Sequence, residues 1–484
     1  MNTTSRNAPT IYWHDYETFG ANPKTDRPVQ FAGIRTDLDL NIIGEPLVQY
    51  AKPANDYLPH PQACLITGIS PQYALAHGIP ETAFMRNILH EFSQANTCVA
   101  GYNSLRFDDE VTRYSLYRNL YDPYAREWKN GNSRWDIIDL LRVCCALRPE
   151  GIHWPKRDDG KTSFRLEDLT AANQIAHEGA HDALSDVTAT IALAKLVKNR
   201  QPKLYDYYFE HRNKRAVTQL LDIENIKPVL HTSAMFPAEY CCTTVVAPLI
   251  KHPSNSNGII VFDLRHDPQA LLDLDVNEIY TRLYTPVKEM PEGMQRIPLK
   301  TVHINKCPVI VPAKIDATIE ARLKIDKSKC QNHLQLLRKA KGLKQKLTRL
   351  FEINQFEPET DPDFQLYSGD FFSASDRNLM NKIHRQAPES LASSTFNFED
   401  ERLATLLFRY RARNYPETLL PAEHETWEKF RRQRLTQPHS SSLLSFKQFV
   451  NMISELKSDK SLSDTQHNML SQLEKYGKAL CSVP

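Results

Sequence analysis

The sequence predicts an α/β domain followed by a strand-rich domain and a helical domain. Residues 9–200 alternate strand-like and helix-like segments, which is typical of a sheet covered by helices. The next 150 residues or so contain short β-branched runs separated by turn residues, and the remainder has helical periodicity. Because 484 residues exceed what one hydrophobic core supports, we predict three domains, at 1–201, 202–355 and 356–484.

The first domain is predicted to begin with a strand and to end with an amphipathic helix. Strands are predicted, in chain order, at residues 11–20, 30–37, 42–52 and 98–102. Helices are predicted at 108–120, 134–147 and 181–200. The helix at 108–120 begins with acidic residues, which the helix dipole favours at that end.

The other two domains differ in their patterns. After a helical start, strands of the second domain are predicted at 241–250, 258–264, 278–285 and 296–311, before a basic amphipathic helical stretch at 333–350. The acidic, proline-rich residues 356–364 predict a linker. In the third domain, one apolar stripe predicts a one-sided helix and consists of Phe446, Phe449, Val450, Ile453 and Leu456.

Composition excludes several classes of protein. The nine cysteines include no CxxC pair, and the doublets Cys144–Cys145 and Cys241–Cys242 could not form ordinary bridges within themselves. This pattern fits a reducing compartment and neither a disulfide framework nor a zinc ribbon. No segment has the roughly 20 apolar residues that cross a bilayer, and the N-terminus has no apolar signal segment. We therefore expect a soluble cytoplasmic protein.

Two carboxylates in the first predicted strand, Asp15 and Glu17, are the first candidate site residues. Side chains in a strand have period two, so both project from one face. Two carboxylates on a buried face repel each other and lose hydration unless a positive charge lies between them. A divalent cation is the usual solution, and an exposed edge strand with solvated acids is the alternative.

Three further residues are candidates to join this pair. Asp108 follows the carboxyl end of a predicted strand, where open α/β sheets place their ligand sites. Five residues of an ideal helix turn through about 500°, so His181 and Asp186 would point about 140° apart if both were helical. His181 is therefore predicted in the loop before the helix that carries Asp186. Taken singly, such an aspartate is more often a cap and such a histidine more often structural.

Together, the four acids and one histidine predict metal-dependent phosphodiester hydrolysis. Carboxylate oxygens select hard cations such as Mg²⁺ or Mn²⁺. Four acids suit two ions about 3.5–4 Å apart that stabilise the attacking and leaving oxygens of a displacement. Histidine titrates near neutral pH and can accept a proton from water. The doublets His14–Asp15 and His181–Asp182 also allow an HD-type phosphohydrolase, although that fold is all-helical and Asp15 lies in a strand pattern.

The ordered set D-x-E-T at residues 15–18, Asp108 and H-x4-D at 181–186 resembles the DEDDh class of the DnaQ-like 3′→5′ exonucleases. Further segments resemble bacterial exonuclease I over nearly the whole chain: HDYETFG, ITGISP, GYNSLRFDDEVTR, NSRWD, RPEGIHWP, SFRLEDLT and HINKCPV. The resemblance implies an RNase H-like nuclease domain, an SH3-like domain and a C-terminal helical domain. It implies a monomer that degrades single-stranded DNA processively to deoxynucleoside 5′-monophosphates in DNA repair or recombination.

The resemblance also implies roles for the candidate residues. Asp15, Glu17 and Asp186 would hold a first Mg²⁺, and Asp15 with Asp108 nearby would serve a second, with Mn²⁺ as a substitute. His181 would be the general base. An RNA-trimming member of the class and a catalytically silent single-strand-binding protein are the alternatives.

Basic side chains and aromatic rings interleave in residues 113–135, a pattern suited to binding single-stranded nucleic acid. Tyr114, Tyr117 and Tyr121 have helical spacing and are assigned to the core. Tyr124 and Trp128, after Pro123, are better candidates for base contacts. The resemblance supports these two and adds other expected contacts: Arg113, Arg142, Arg165, His303 and Lys306. For the last two, an ordinary polar strand face is nearly as good an interpretation.

The basic residues 338–349 form either a solvated helix face or a site for acidic partners. Exonuclease I proteins bind the acidic C-terminal tail of single-stranded-DNA-binding protein. The resemblance places Arg148, Tyr207 and Arg338 at the matching positions.

Overall fold

The computed structural model describes residues 8–179, 181–353, 359–437 and 443–481. Residues 356–358 of the linker predicted at 356–364 and residues 1–7 of the chain therefore lie outside the described residues. In these ranges the chain forms two compact units. One comprises Met1–Asn132, Glu178–Thr188 and Pro358–Pro484, and the other Ser133–His177 and Ala189–Glu357.

Among the described residues up to 200, the chain forms five strands and seven α-helices. The strands are β1 (Thr10–Thr18), β2 (Pro28–Thr36), β3 (Ile42–Tyr50), β4 (Thr97–Gly101) and β5 (Ser133–Asp136). The helices are α1 (Pro61–Thr67), α2 (Pro71–His77), α3 (Glu81–Phe92), α4 (Asp108–Arg118), α5 (Ile137–Leu147), α6 (Leu166–Ala172) and α7 (Ala183–Arg200). Strands alternating with helices confirm the predicted α/β class.

The central residues contain five more strands and seven more helices. The strands are β6 (Val229–Thr232), β7 (Thr243–Lys251), β8 (Gly258–Asp263), β9 (Leu299–His303) and β10 (Val309–Pro312). The helices are α8 (Pro202–Glu210), α9 (Lys214–Leu220), α10 (Gln269–Asp273), α11 (Val276–Tyr284), α12 (Ala317–Leu323), α13 (Lys327–Lys339) and α14 (Leu343–Glu352). The strands form an antiparallel sheet in the order β10-β6-β7-β8-β9.

The C-terminal part is helical, as predicted. Its helices are α15 (Ala374–Ile383), α16 (Glu401–Asn414), α17 (Pro421–Thr436), α18 (Phe446–Lys457) and α19 (Asp464–Cys481). The predicted apolar stripe on α18 is buried through Phe449 and Ile453, which share a core cluster with Leu470 and Leu473 of α19. None of the described helices combines the length and apolar character needed to cross a bilayer.

In the first unit, β3, β2, β1 and β4 lie side by side in that order. β1 pairs antiparallel with β2 and parallel with β4. Tyr12 and Tyr16 of β1 enter the core cluster that also contains Phe31 and Phe84. Because strand side chains alternate, Asp15 and Glu17 occupy the opposite face of β1 from these tyrosines.

Four details differ from the sequence predictions. The stretch predicted as a strand at 278–285 lies in α11, because Asp275 and Glu278 form a capping box that begins a helix there. The basic stretch at 333–350 is divided between α13 and α14 by Gly342, which adopts a positive φ of 77°. Residues 134–136, predicted as helix, belong to β5, and β6 was not predicted.

Candidate active site

The central strand β1 holds the acidic pair. Asp15 lies opposite Ala32 of β2, and Glu17 lies opposite Gln30. Glu17 is buried and Asp15 is half-buried. Both carboxylates therefore lie on one partly buried face of the sheet. The period-two spacing predicted that they share this face.

Asp108 reaches the same strand from α4. It is the first residue of that helix and is buried. Its Oδ1 accepts a hydrogen bond from the backbone N–H of Tyr16 at 3.2 Å. Since Tyr16 lies between Asp15 and Glu17, this bond fixes the third carboxylate next to the first two.

The start of α7 supplies the histidine and the fourth acid. The helix begins at Ala183, so His181 lies in the loop before it, as predicted, with a positive φ of 68°. Asp182 caps the helix by accepting from the N–H of Ser185 at 3.2 Å. Asp186 follows in the first turn.

The side chains of Glu17, His181 and Asp186 converge. Each offers one ligand atom, and these atoms all lie within 4.8 Å of one another. This group brings together β1 and the start of α7, which are about 165 residues apart in the chain. The donors are carboxylate oxygens with one imidazole nitrogen, a set that fits a hard divalent cation.

The carboxylates of the site repel one another. Burial and the carboxylates of Asp15 and Asp186 raise the pKa of Glu17 to about 9. Burial and the carboxylates of Asp108 and Asp186 raise the pKa of Asp15 well above its ordinary value. These acids are therefore mutually destabilising as anions, and a bound cation would relieve the repulsion.

Gln30 belongs to this site although the sequence did not identify it. Its side-chain Nε2 donates to Asp182 Oδ2 at 3.1 Å and to the Tyr50 hydroxyl at 3.2 Å. The residue is buried on β2, opposite Glu17. The only sequence signal for it is a carboxamide between apolar residues in the first half of the strand.

Three predicted DNA contacts belong to the same unit. The Arg113 guanidinium donates to both carboxylate oxygens of Glu127, at 2.7 and 2.9 Å, and to Glu110 at 2.9 Å. It also lies 5.5 Å from the centre of the Tyr124 ring. Arg113 is therefore held in an acidic cluster, from which it orients Tyr124. Trp128 is 65% exposed, and the Lys129 ammonium lies 5.8 Å from the centre of its ring.

Two aromatic residues that the sequence did not single out extend this group. Phe371 is 81% exposed, and its ring packs edge to face against Tyr124 with 5.4 Å between ring centres. The Tyr367 hydroxyl accepts from Arg113 at 3.0 Å. By contrast, Tyr114 and Tyr117 are buried with Leu403 and Leu406, which confirms their assignment to the core.

The other predicted contacts lie in the second unit. Arg142 is buried against Asp139 at 2.7 Å, whereas the side chain of Arg165 is 70% exposed. His303 ends β9 and is exposed, and Lys306 follows in the next turn.

The predicted partner-binding residues also lie in the second unit. The Tyr207 hydroxyl donates to the Ile310 carbonyl at 3.1 Å. Arg338 donates to the carbonyls of Asn225 and Ile226, each at 3.2 Å. Arg148, at the end of α5, donates to the Leu147 carbonyl at 2.6 Å. Their partner-binding roles, like the DNA-contact roles above, stay predictions.

Comparison with known proteins finds matches along three segments of the chain. Family models match at residues 12–194 (exonuclease), 212–353 (exonuclease I SH3-like domain) and 360–480 (exonuclease I C-terminal domain). Exodeoxyribonuclease I of Escherichia coli is 50% identical over 438 residues, which cover 90% of this chain and 92% of that protein. The Haemophilus influenzae enzyme is 48% identical over 471 residues, 97% and 98% of the two chains. A crystal structure of E. coli exonuclease I with a dA16 oligonucleotide superposes with a TM-score of 0.94 at 46% identity, covering 98% of this chain and all of the other.

Proposed function

The chain belongs to the exonuclease I family, whose members are exonucleases acting on single-stranded DNA, and from this premise we propose a specific reaction for it. The protein hydrolyses single-stranded DNA processively from the 3′ end, releases deoxynucleoside 5′-monophosphates, and uses Mg²⁺ as its cofactor. It acts as a monomer in the cytoplasm, in DNA repair or recombination. Its domains span 1–201, 202–355 and 356–484, bounds within which the three matched family models fall.

The convergence of Glu17, His181 and Asp186, beside which Asp15 and Asp108 add two further carboxylates, supports this proposal most directly. Exonuclease domains of this class use divalent metal ions. Asp15, Glu17 and Asp186 would hold one Mg²⁺, and Asp15 with Asp108 would serve a second. When bound, the ions supply charge stabilisation for the attacking and leaving oxygens of the displacement.

The residues of the chain perform the remaining steps. His181, in the loop before α7, accepts the proton of the attacking water on a ring nitrogen. The water oxygen bonds to the terminal phosphorus, and the bond from phosphorus to the 3′-oxygen of the preceding nucleotide breaks. The exposed guanidinium of Arg165 binds the terminal phosphate, while Arg113, Tyr124, Trp128, Arg142, His303 and Lys306 bind the strand.

An end-labelled degradation assay tests the proposal. We expect a 5′-labelled DNA strand to shorten from its free 3′ end with Mg²⁺ and to stay intact in EDTA or with a blocked 3′ end. A blocked 5′ end should change nothing. Faster degradation of a matched RNA strand would favour an RNA-trimming nuclease, and binding without cleavage would favour a silent single-strand-binding protein.

We also propose that Arg148, Tyr207 and Arg338 bind the acidic C-terminal tail of single-stranded-DNA-binding protein. Guanidinium groups pair well with carboxylates, so Arg148 and Arg338 suit an acidic peptide, and Tyr207 supplies a half-buried aromatic ring. A fluorescent acidic tail peptide should bind with lower affinity to Arg338→Ala than to the wild type. Equal affinities would contradict the assignment.

A further inference from the structure

Two cysteines from different parts of the chain meet in the second unit. All nine cysteines are in the described residues, and eight of them are buried. A hydrogen bond joins Cys145 Sγ and Cys241 Sγ at 2.7 Å. The pair takes one member from each cysteine doublet, 96 residues apart.

The backbone holds the two sulfurs in place. Cys145 lies near the end of α5. Cys241 and Cys242 both adopt a positive φ, 48° and 55°, a conformation that costs energy in residues other than glycine. The turn is fixed by hydrogen bonds from Cys241 N–H to the Ala238 carbonyl at 3.0 Å and from Cys242 N–H to the Pro237 carbonyl at 3.1 Å. The approach of the sulfurs is therefore built into an ordered turn.

The surroundings make the two thiols chemically different. The hydrogen bond to Cys145, with the nearby charges of Lys156 and Arg322, lowers the pKa of Cys241. The same hydrogen bond and burial raise the pKa of Cys145. Cys145 thus keeps its proton, and Cys241 is the better nucleophile, since the thiolate is the reactive form.

We propose that Cys145 and Cys241 form an oxidation site at which a peroxide joins them in one disulfide. Hydrogen peroxide is the oxidant. The Cys241 sulfur attacks one peroxide oxygen, giving a sulfenic acid and releasing the first water. The Cys145 sulfur then attacks the Cys241 sulfur, forms the S–S bond, and displaces the sulfenic hydroxyl as the second water. Two thiols lose two electrons, and one peroxide gains them.

The neighbouring cysteines serve as internal controls. The Cys144 thiol donates to the Arg148 carbonyl at 3.1 Å, a different partner from that of Cys145. Trypsin leaves Cys144 and Cys145 on one peptide and Cys241 and Cys242 on another, because no lysine or arginine separates either doublet. Single substitutions therefore show which member of each doublet takes part in a cross-link between those peptides.

The experiment treats the full-length reduced protein with hydrogen peroxide, counts its thiols in denaturant and maps tryptic peptides without reduction. The thiol count should fall from nine to seven, and dithiothreitol should restore it. The cross-linked peptide pair should persist in Cys144→Ser and Cys242→Ser and disappear in Cys145→Ser and in Cys241→Ser. Circular dichroism checks that each variant folds, and fragment-ion spectra of the wild-type cross-link give the assignment independently of all variants.

A second readout is the temperature of unfolding. A disulfide that closes so long a loop should raise the unfolding temperature of the oxidised wild type above that of the reduced form, and this difference should vanish in Cys145→Ser. The proposal is overturned if nine thiols survive peroxide treatment, or if the cross-link persists in folded Cys145→Ser or maps to Cys144 or Cys242.

Discussion

The Gln30 carboxamide donates a hydrogen bond to the Asp182 carboxylate, with 3.1 Å between Nε2 and Oδ2. Gln30 lies opposite Glu17 in the β1–β2 pairing, and Asp182 caps the helix that carries Asp186. One side chain therefore ties the sheet half of the site to its helix half. The hydrogen bonds of the Gln30 side chain go to Asp182, the Tyr50 hydroxyl and the Ala183 N–H, so we interpret it as a positioning residue.

We predict that Gln30→Ala lowers kcat by about tenfold or more and raises the Mg²⁺ concentration for half-maximal activity. A hydrogen bond to a charged group contributes about 1.5–3 kcal/mol, and its loss lets the start of α7 shift relative to Glu17. Metal titrations at saturating DNA measure both effects, and the KM for DNA should stay unchanged. The matched control is Gln49→Ala on β3, whose carboxamide bonds the Phe84 carbonyl at 2.9 Å instead. Wild-type metal dependence in Gln30→Ala would refute the role.

We predict that Asp15 lowers the stability of the metal-free protein, although cleavage requires it. Asp15→Asn removes one negative charge from a site where burial and neighbouring acids disfavour it, so the metal-free variant should unfold at a higher temperature than the wild type. Mg²⁺ should stabilise the wild type and leave the variant almost unchanged, and cleavage should be lost. Differential scanning calorimetry in EDTA and in Mg²⁺ measures this, with exposed Asp39→Asn as control. A less stable metal-free variant would contradict the prediction.

His181 can be tested without disturbing its backbone. Its positive φ of 68° is tolerated by asparagine better than by alanine, so His181→Asn removes the imidazole and keeps the loop conformation. We expect turnover to fall about 10²–10⁴-fold, the usual effect of losing a general base, while DNA affinity in Ca²⁺ or EDTA stays close to that of the wild type. Turnover at the wild-type rate would remove His181 from the mechanism.

Local rules predicted the parts of this site that depend on local geometry. Period two placed Asp15 and Glu17 on one face, and the helical turn angle placed His181 before α7. Gln30 could not be found this way, because its contact depends on strand register and on a helix about 150 residues away. The prediction of a strand at 278–285 was wrong, because it gave more weight to the β-branched and aromatic residues there than to the helix-capping pair Asp275 and Glu278.

The rings of Tyr124 and Phe371 should act together in holding DNA. Stacking is worth about 1–3 kcal/mol per base, and the two rings lie in edge-to-face contact. Each single alanine substitution should weaken binding of an oligothymidylate in EDTA by about five- to a hundredfold. The double substitution should cost less than the sum of the two, because loss of one ring already disorders the other. Fluorescence anisotropy measures the DNA affinity of the wild type, the two single variants and the double variant. Strict additivity of the free-energy losses would indicate that the two rings contact DNA independently.

A buried ion-pair network joins the nuclease and C-terminal segments of the first unit. Arg413 bonds Asp56 Oδ2 at 2.7 Å and Asp363 Oδ1 at 2.9 Å, and both acids are buried. Burial alone would raise the pKa of Asp56, yet Arg413 and Arg434 hold it well below its ordinary value. Burial would also raise the pKa of Asp363, but the charges of Arg413 and Arg409 lower it well below its ordinary value.

These lowered pKa values predict how stability depends on pH. A carboxyl group with a lowered folded-state pKa adds stability above its unfolded pKa of about 4, and this stability is lost as pH falls through the folded value. Arg413→Met leaves two buried carboxylates short of a partner, so it should cost about 3–5 kcal/mol at pH 7. The cost should shrink towards pH 4, because protonation relieves the unpaired charges in the variant. Urea unfolding across this pH range measures the difference in the free energy of unfolding between variant and wild type. The control is Arg432→Met, at a half-exposed arginine beside Glu428, which should lower the free energy of unfolding by less than about 1 kcal/mol. A cost for Arg413→Met that is independent of pH would show that packing, and not charge, holds these segments together.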